Sequence, residues 1–431
     1  MRIVLFAHGT RGDVAPIVAL GWVLTRGGHD VTVAVPEEFR AFVEQTGLRA
    51  APLPLDMMAW LRTPEGQQLL QTGGLTFMRR WAQEYRHHAP ELDAAHRAAA
   101  EGADVLVGNH ITIDRAVALG DALRVPVAIY VPFPLAPSRE YAPFTTRGRL
   151  RSPTLRMAAH ELSIRVWWRE VSGPVDAFRA ELGLAPSAAP TIRRLMRDPR
   201  HLALYALSSS LFPRPSDWPD HIAVTAPWTL PAELRDDLGE TLPADLEAWL
   251  DAGEPPVFLG FGSMPVLDPR PLLDDIAAVT EGLGLRAIVS ENCVPADDEL
   301  PDHLFAAGTV DHDRLFTRCS AAVHHGGIGT LHASLGAGLP TMVCSILGDQ
   351  PWWGEHIVRL GIGAHVPFRD LDRDRLRAGL TTLRAPGVAG RAEAFGASIR
   401  AEGDGLAAAG RIFEDWLRWP LPPARRQRTP A

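Results

Sequence analysis

The stretch Ala322-Val323-His324-His325-Gly326-Gly327-Ile328-Gly329-Thr330 carries the densest chemistry in this chain of 431 residues. A short apolar run, Ala321 to Val323, ends in histidines and glycines, and a helical pattern opens at Thr330. A strand that enters a helix through a loop almost free of side chains turns backbone N–H groups and a helix N-terminus toward an anion. It can therefore hold a diphosphate without a metal. His325 can add a side-chain donor there and Thr330 a hydroxyl; the competing reading of His325 is a strand-end histidine that only closes the loop. His324 alternates with it and is expected in the core. His324, His325 and His332 make no metal site, because adjacent strand residues point apart and no carboxylate or cysteine stands at ligand spacing. Further on, Gly348-Asp349-Gln350-Pro351 is expected at another strand's carboxyl end, the usual ligand edge of an open α/β sheet. Its two side chains offer hydrogen bonds to hydroxyls, and with the phosphate loop they suggest a nucleotide-sugar site.

Two further segments bear chemistry. His8-Gly9-Thr10-Arg11-Gly12-Asp13-Val14 follows the first apolar run and lacks G-x-G-x-x-G, so a dinucleotide fingerprint is missing. Its turn delivers Asp13 to the start of a helix. A carboxylate there can take a proton from an attacking hydroxyl, or it can simply stabilise the helix N-terminus, and these readings stand level. With an ordinary pKa of about 3.9 it is a weak base for an alcohol and acts late, once the oxygen has become acidic. Gly260-Phe261-Gly262-Ser263 also follows a strand and could complete a phosphate clamp opposite the His325 loop. Trp352-Trp353 can stack on a sugar or fill an interface.

These residues need a scaffold, and the chain alternates strands with helices in two series. Arg2 to Ala7, Val31 to Val35, Val105 to Val107 and Val127 to Tyr130 read as strands, with a helix from Ala15 to Arg26 stopped by Gly27-Gly28. The stretches 55–100 and 133–200 are less regular and are expected to shape a pocket for a second substrate, or to pack as a lid. Pro213, Pro215, Pro219, Pro227 and Pro231 suggest an extended linker. A second series follows at Val257 to Gly260, Arg286 to Val289, Ala321 to Val323 and Thr341 to Val343, then a helix from Leu406 to Leu417. The expected fold is α/β, with two Rossmann-like domains facing across a cleft. The expected boundaries are 1–222, a linker 223–240, 241–404, a helix at 405–420 crossing back to the first domain, and a frayed tail 421–431.

Composition excludes several classes. The formal charge of −8 argues against nucleic acid as a partner. No apolar stretch approaches the roughly 18–20 residues of a membrane span, and Ile3-Val4-Leu5-Phe6 reads as a strand, not a leader. Cys293, Cys319 and Cys344 are far apart, so a reduced cytoplasmic protein is expected. All 43 basic residues are arginine. Without lysine, P-loop, pyridoxal-phosphate and Schiff-base chemistries are excluded together.

The same motifs, in order, resemble the family 1 GT-B glycosyltransferases, the group that includes plant secondary-metabolite, bacterial antibiotic and sterol glucosyltransferases. The resemblance runs through Gly9-Thr10-Arg11-Gly12-Asp13, Pro213-Arg214-Pro215-Ser216-Asp217-Trp218-Pro219, Gly260-Phe261-Gly262-Ser263-Met264, the His324-to-Thr330 loop and Gly348-Asp349-Gln350-Pro351-Trp352-Trp353-Gly354. It implies inverting, metal-independent transfer from a nucleotide sugar to an acceptor hydroxyl. Asp13 then stands where the family places its general base, and Thr10 and Arg11 are candidate acceptor or phosphate contacts. His325, Gly327, Ile328, Gly329, Thr330 and Ser263 match the diphosphate-binding positions. Asp349 and Gln350 match the sugar-binding pair, and Val310 and His312 border the base. Plant relatives carry tryptophan near Thr309 and glutamate near Ala333; this chain has neither, which leaves the nucleotide open between UDP and TDP. Asp311 replaces the usual proline. The expected activity is transfer of a hexose or deoxyhexose to a small lipophilic natural product of macrolide, polyketide, glycopeptide or sterol type. No cofactor, nucleic acid or integral membrane association is expected, and the chain is expected to be a monomer or homodimer. The rivals are an inactive helper subunit of a partner transferase, and a nucleotide-sugar epimerase or hydrolase.

Overall fold

The computed structural model describes residues 1–54, 59, 63, 66, 80, 83, 84, 86–146, 148, 150–262, 268–295 and 299–418. The chain divides into two compact units. One takes in Met1–Trp60, Leu75–Leu230 and Asp404–Ala431, the other Leu61–Gly74 and Pro231–Gly403.

The first unit is built on seven parallel strands: β1 (Arg2–Phe6), β2 (Asp30–Pro36), β3 (Arg49–Leu53), β4 (Val105–Asn109), β5 (Val127–Val131), β6 (His201–Tyr205) and β7 (Ile222–Val224). Their order is β3-β2-β1-β4-β5-β6-β7. The second unit has six, β8 (Val257–Gly260), β9 (Ala287–Ser290), β10 (Leu304–Ala307), β11 (Ala321–His324), β12 (Thr341–Ser345) and β13 (Gly363–Pro367), in the order β10-β9-β8-β11-β12-β13. Each sheet thus grows outward one way and then restarts on the other side of its first strand. Connections diverge at that point and open a crevice at the carboxyl ends, between β1 and β4 in one sheet and between β8 and β11 in the other. Registers put Phe6 beside Gly108 and His324 beside Gly260. All the chemistry-bearing strand ends of the sequence therefore lie next to a switch point or one strand away.

Burial on both faces explains the unbroken apolar runs. In the second sheet Val257, Leu259, Ala321, Val323, Met342 and Cys344 face one core. Phe258, Ile288 and Ala322 face the other, with Leu315, Phe316 and Leu339. All three cysteines are buried free thiols.

Several boundaries differ from expectation. The first helix starts at Arg11, not Ala15, because Thr10 and Asp13 cap it, so Asp13 lies in its first turn. The left-handed residue after it is Gly28, at φ +90°, while Gly27 remains right-handed. The proline-rich stretch does not run free: Trp218 and Trp228 are buried, and β7 joins the first sheet within it. The stretch 133–200 contains a 29-residue helix, Pro153–Glu181, with Pro174 in its interior. The helix Gly405–Arg418 packs on the first helix, where a Cβ at Gly410 would sit 2.9 Å from Val23, and Glu414 meets His29 Nε2 at 2.6 Å.

Candidate active site

In the first unit, β1 ends at Phe6 and the chain turns through Gly9 at φ +124°. Asp13 folds back over this turn. Its Oδ2 accepts hydrogen bonds from the Thr10 amide (2.8 Å) and hydroxyl (3.0 Å). A Cβ on Gly9 would lie 2.4 Å from that oxygen, so only glycine admits the carboxylate. Asp13 does cap the helix, but with one oxygen. Its Oδ1 lies 3.8 Å from His110 Nε2, too far for a hydrogen bond, and both side chains are about four-fifths buried, at 20% and 17% exposure. Thr10 is spent on this cap. The Arg11 guanidinium lies 4.5 Å over the Phe42 ring, and burial lowers its pKa.

His110 completes the switch point from β4. Asn109 donates to the His8 carbonyl (2.7 Å) and accepts from the amides of Ile111 and Thr112 (3.1 Å each), a turn that fixes His110 beyond the strand end. The His110 ring packs edge-on against Phe133 at 4.9 Å, and Phe133 against Phe144 at 5.1 Å. Burial lowers the His110 pKa, and the Asp13 charge opposes this only in part. His110 is therefore a neutral imidazole at neutral pH, with a buried Nδ1 that has no partner.

In the second unit β11 delivers its two histidines to different jobs. His324 is fully buried. Its Nδ1 accepts from the Gly326 amide (3.0 Å), so the proton sits on Nε2, which faces Ser334 Oγ at 3.2 Å. That bridge pins the loop to the following helix, Ile328–Gly336. Gly326, at φ +87°, has no room for a Cβ, which would meet Val343 at 2.6 Å. His325 lies in a slot between glycines: a Cβ on Gly262 would come within 2.7 Å of its Cε1, and one on Gly327 within 2.4 Å of its Nε2. Burial drives its pKa down to about 4, and its Nδ1 is buried without a partner. Gly327 caps the helix, so Ile328, Gly329 and Thr330 form its first turn, where amides lack an intrahelical acceptor. The loop thus offers a neutral imidazole, first-turn amides and a hydroxyl.

One strand further out, β12 leads into Gly348-Asp349-Gln350. Asp349 Oδ2 accepts from Trp353 Nε1 at 2.5 Å, and Gln350 Oε1 accepts from the amides of Ile346 (2.8 Å) and Leu347 (3.1 Å). Both side chains brace their own loop, which leaves Gln350 Nε2 as its donor. Trp353 is fully buried and packs; Trp352 stacks on His356 at 5.4 Å. Val310 is 8% exposed, and the His312 ring stacks on Phe316 at 5.0 Å. Between them Asp311 caps the helix His312–Phe316 by accepting from the amides of Asp313 (2.9 Å) and Arg314 (3.3 Å). Arg235 holds the same carboxylate at 2.8 Å. A proline could supply neither contact, which accounts for the departure at this position.

Family models match both halves. Residues 3–103 match the glycosyltransferase family 28 N-terminal domain, and residues 271–402 match the erythromycin biosynthesis protein CIII-like C-terminal domain. An uncharacterized glycosyltransferase of Mycobacterium leprae is 32% identical over 96% of this chain and 97% of its own length. The O-mycaminosyltylonolide 6-deoxyallosyltransferase of Streptomyces fradiae is also 32% identical, over the same shares. This chain belongs to the GT-B glycosyltransferases. Among solved structures, the glycotransferase of kitacinnamycin superposes with a TM-score of 0.72 at 20% identity, covering 98% of this chain and 99% of its own. The glycosyltransferase VinC in complex with DTDP gives 0.65 at 22%, covering 97% and 100%.

In this glycosyltransferase, sequence reasoning missed His110. The signal was present, since Asn109-His110 ends an apolar run in the same way that His8 to Asp13 follows another. Ser263 lies outside the described residues. Among the described residues no group of three or more histidines, cysteines or carboxylates could hold a metal.

Proposed function

We propose that this glycosyltransferase moves a hexose or deoxyhexose from a UDP- or TDP-linked donor to a hydroxyl of a small lipophilic natural product, with inversion and without a metal. Asp13 is the base. The observation that carries this is the division of labour in its carboxylate: Oδ2 is held by Thr10 while Oδ1 remains unbonded beside His110. A fixed carboxylate with one oxygen unbonded can accept a proton as the acceptor oxygen bonds to the anomeric carbon. Neutral His110 supplies an aromatic, weakly polar wall that keeps water from that oxygen.

On the donor side, the bond from the anomeric carbon to phosphate breaks as negative charge grows on the leaving diphosphate. His325, the first-turn amides of Ile328, Gly329 and Thr330, and the helix dipole are the donors for that charge. Nitrogen and hydroxyl donors suit an anion directly, whereas a bridging metal calls for carboxylates. A diphosphate beside His325 also favours its protonated form, against the burial that now holds its pKa near 4. Asp349 and Gln350 Nε2 take the sugar hydroxyls, and Val310 and His312 border the base. A relative named for 6-deoxyallosyl transfer to O-mycaminosyltylonolide, and a fold neighbour in complex with DTDP, support a TDP-deoxyhexose donor and a polyketide-type acceptor.

The test is a panel of UDP- and TDP-sugars with lipophilic acceptors, read as nucleotide released and glycoside formed, with the anomeric configuration of the product set by NMR. Acceptor-dependent release and an inverted glycoside support the reading. Release that ignores the acceptor would make the protein a hydrolase, and no release with any pair would favour a helper subunit.

A further inference from the structure

The helix Pro153–Glu181 is buried on one side through His160, Ile164 and Phe178. A soluble helix normally turns polar residues to the opposite side. Here Leu155, Leu162 and Val166 stand there instead, 56%, 64% and 46% exposed, on one stripe at helical spacing; Trp167, 38% exposed, lies about 100° round the helix toward the buried side. They are four of the seven exposed large apolar side chains among the described residues, so they are a concentration and not a scatter. The charge around it is equally uneven. Between residues 139 and 169 the sequence has seven arginines and two glutamates, in a protein of net charge −8. Glu161 is paired with Arg193, and Glu140 is bonded to Ser216. Exposed Arg165 and Arg169 lie along one edge of the stripe on the helix itself, half-buried Glu170 lies at the other, and exposed Arg151 precedes it. No described helix is long and apolar enough to cross a membrane.

We propose that this stripe docks the protein on the surface of a bilayer that contains anionic phospholipids. Leucine and valine along one line, with arginine along one edge, suit a helix that lies in the interfacial plane. The stripe enters the acyl boundary while the arginines meet headgroup phosphates and add electrostatic attraction to a charged surface. Docking of this kind would place the enzyme where a lipophilic acceptor partitions; that consequence rests on the proposed acceptor class, but the docking itself does not.

Co-sedimentation of the full chain with vesicles of phosphatidylcholine alone, or mixed with phosphatidylglycerol, tests this at low and high salt. The protein should pellet with the mixed vesicles, less so at high salt, and hardly with the neutral ones. Leu162→Glu removes one inserting side chain and should weaken vesicle binding by about 10-fold or more. Arg165→Gln with Arg169→Gln should weaken binding and its salt dependence together. Both variants touch only exposed positions and should keep the wild-type melting temperature and turnover of a water-soluble acceptor. Wild type that stays in the supernatant with both vesicles overturns the proposal, as does binding that neither variant changes. A dimer that Leu162→Glu splits, with no vesicle binding, would overturn it too by making the stripe a contact between copies.

Discussion

Gly327→Ala tests the placement of His325 without altering the histidine. Gly327 has φ −59° and ψ 134°, a conformation open to any residue, so alanine brings no backbone strain. The added Cβ would lie 2.4 Å from His325 Nε2, a separation real Cβ atoms essentially never show. Restoring ordinary contact requires the ring to move by about 1 Å. A group misplaced by that distance costs on the order of 10²-fold in rate, close to the 10²–10³ for losing such a donor outright. The loss should therefore be about 2.7 kcal/mol of transition-state stabilisation, appearing in kcat with the best donor and in weaker nucleotide binding by calorimetry. Because both changes act through one ring, Gly327→Ala added to His325→Ala should cost little more than His325→Ala alone. Wild-type turnover in Gly327→Ala would refute the reasoning. So would additive losses in the double variant, which would mean that Gly327 and His325 act separately.

Other expectations concern stability and pH. Arg235→Met strips the principal partner from a carboxylate only 1% exposed, Asp311, and a broken buried pair costs about 3–5 kcal/mol. The second unit's melting temperature should then fall by about 6 °C or more by calorimetry. His160, His201, His325 and His332 each have a pKa lowered by burial to about 4. Their unfolded forms bind protons near 6.5, so the stability they contribute is complete above that pH and declines as pH falls toward 4. Each should add a slope of about 1.4 kcal/mol per pH unit within that window, readable by denaturant titration from pH 7 to 4. Gly9→Ala should reduce both activity and stability, because φ +124° strains alanine and its Cβ would displace the Asp13 carboxylate that caps the helix; assay of turnover beside thermal melting checks this.

Much of the scaffold was legible because parallel strands buried on both faces read as apolar runs, and because glycine and histidine mark their ends. The core position of His324 followed from strand alternation alone. The start of the first helix was missed because Gly12 interrupts the apolar period, while the Thr10–Asp13 cap that fixes the start lies in polar residues. Prolines at 213 to 231 read as a linker because local rules see only the missing N–H. They cannot see that Trp218 and Trp228 are buried and that β7 pairs with β6. The Arg235–Asp311 pair was invisible for a related reason, and the strand-end signal at His110 could not show its pairing with Asp13, since each depends on a partner more than 70 residues away.

The central claim is that Asp13 is a base as well as a cap, and Asp13→Asn separates the two. The amide oxygen can still accept from Thr10, so the turn and the fold should persist, and the thermal shift given by UDP or TDP should match wild type. Acceptor-dependent nucleotide release should fall by about 10²–10⁴. Release within a few-fold of wild type, with the shift unchanged, would reduce Asp13 to a helix cap and contradict the account.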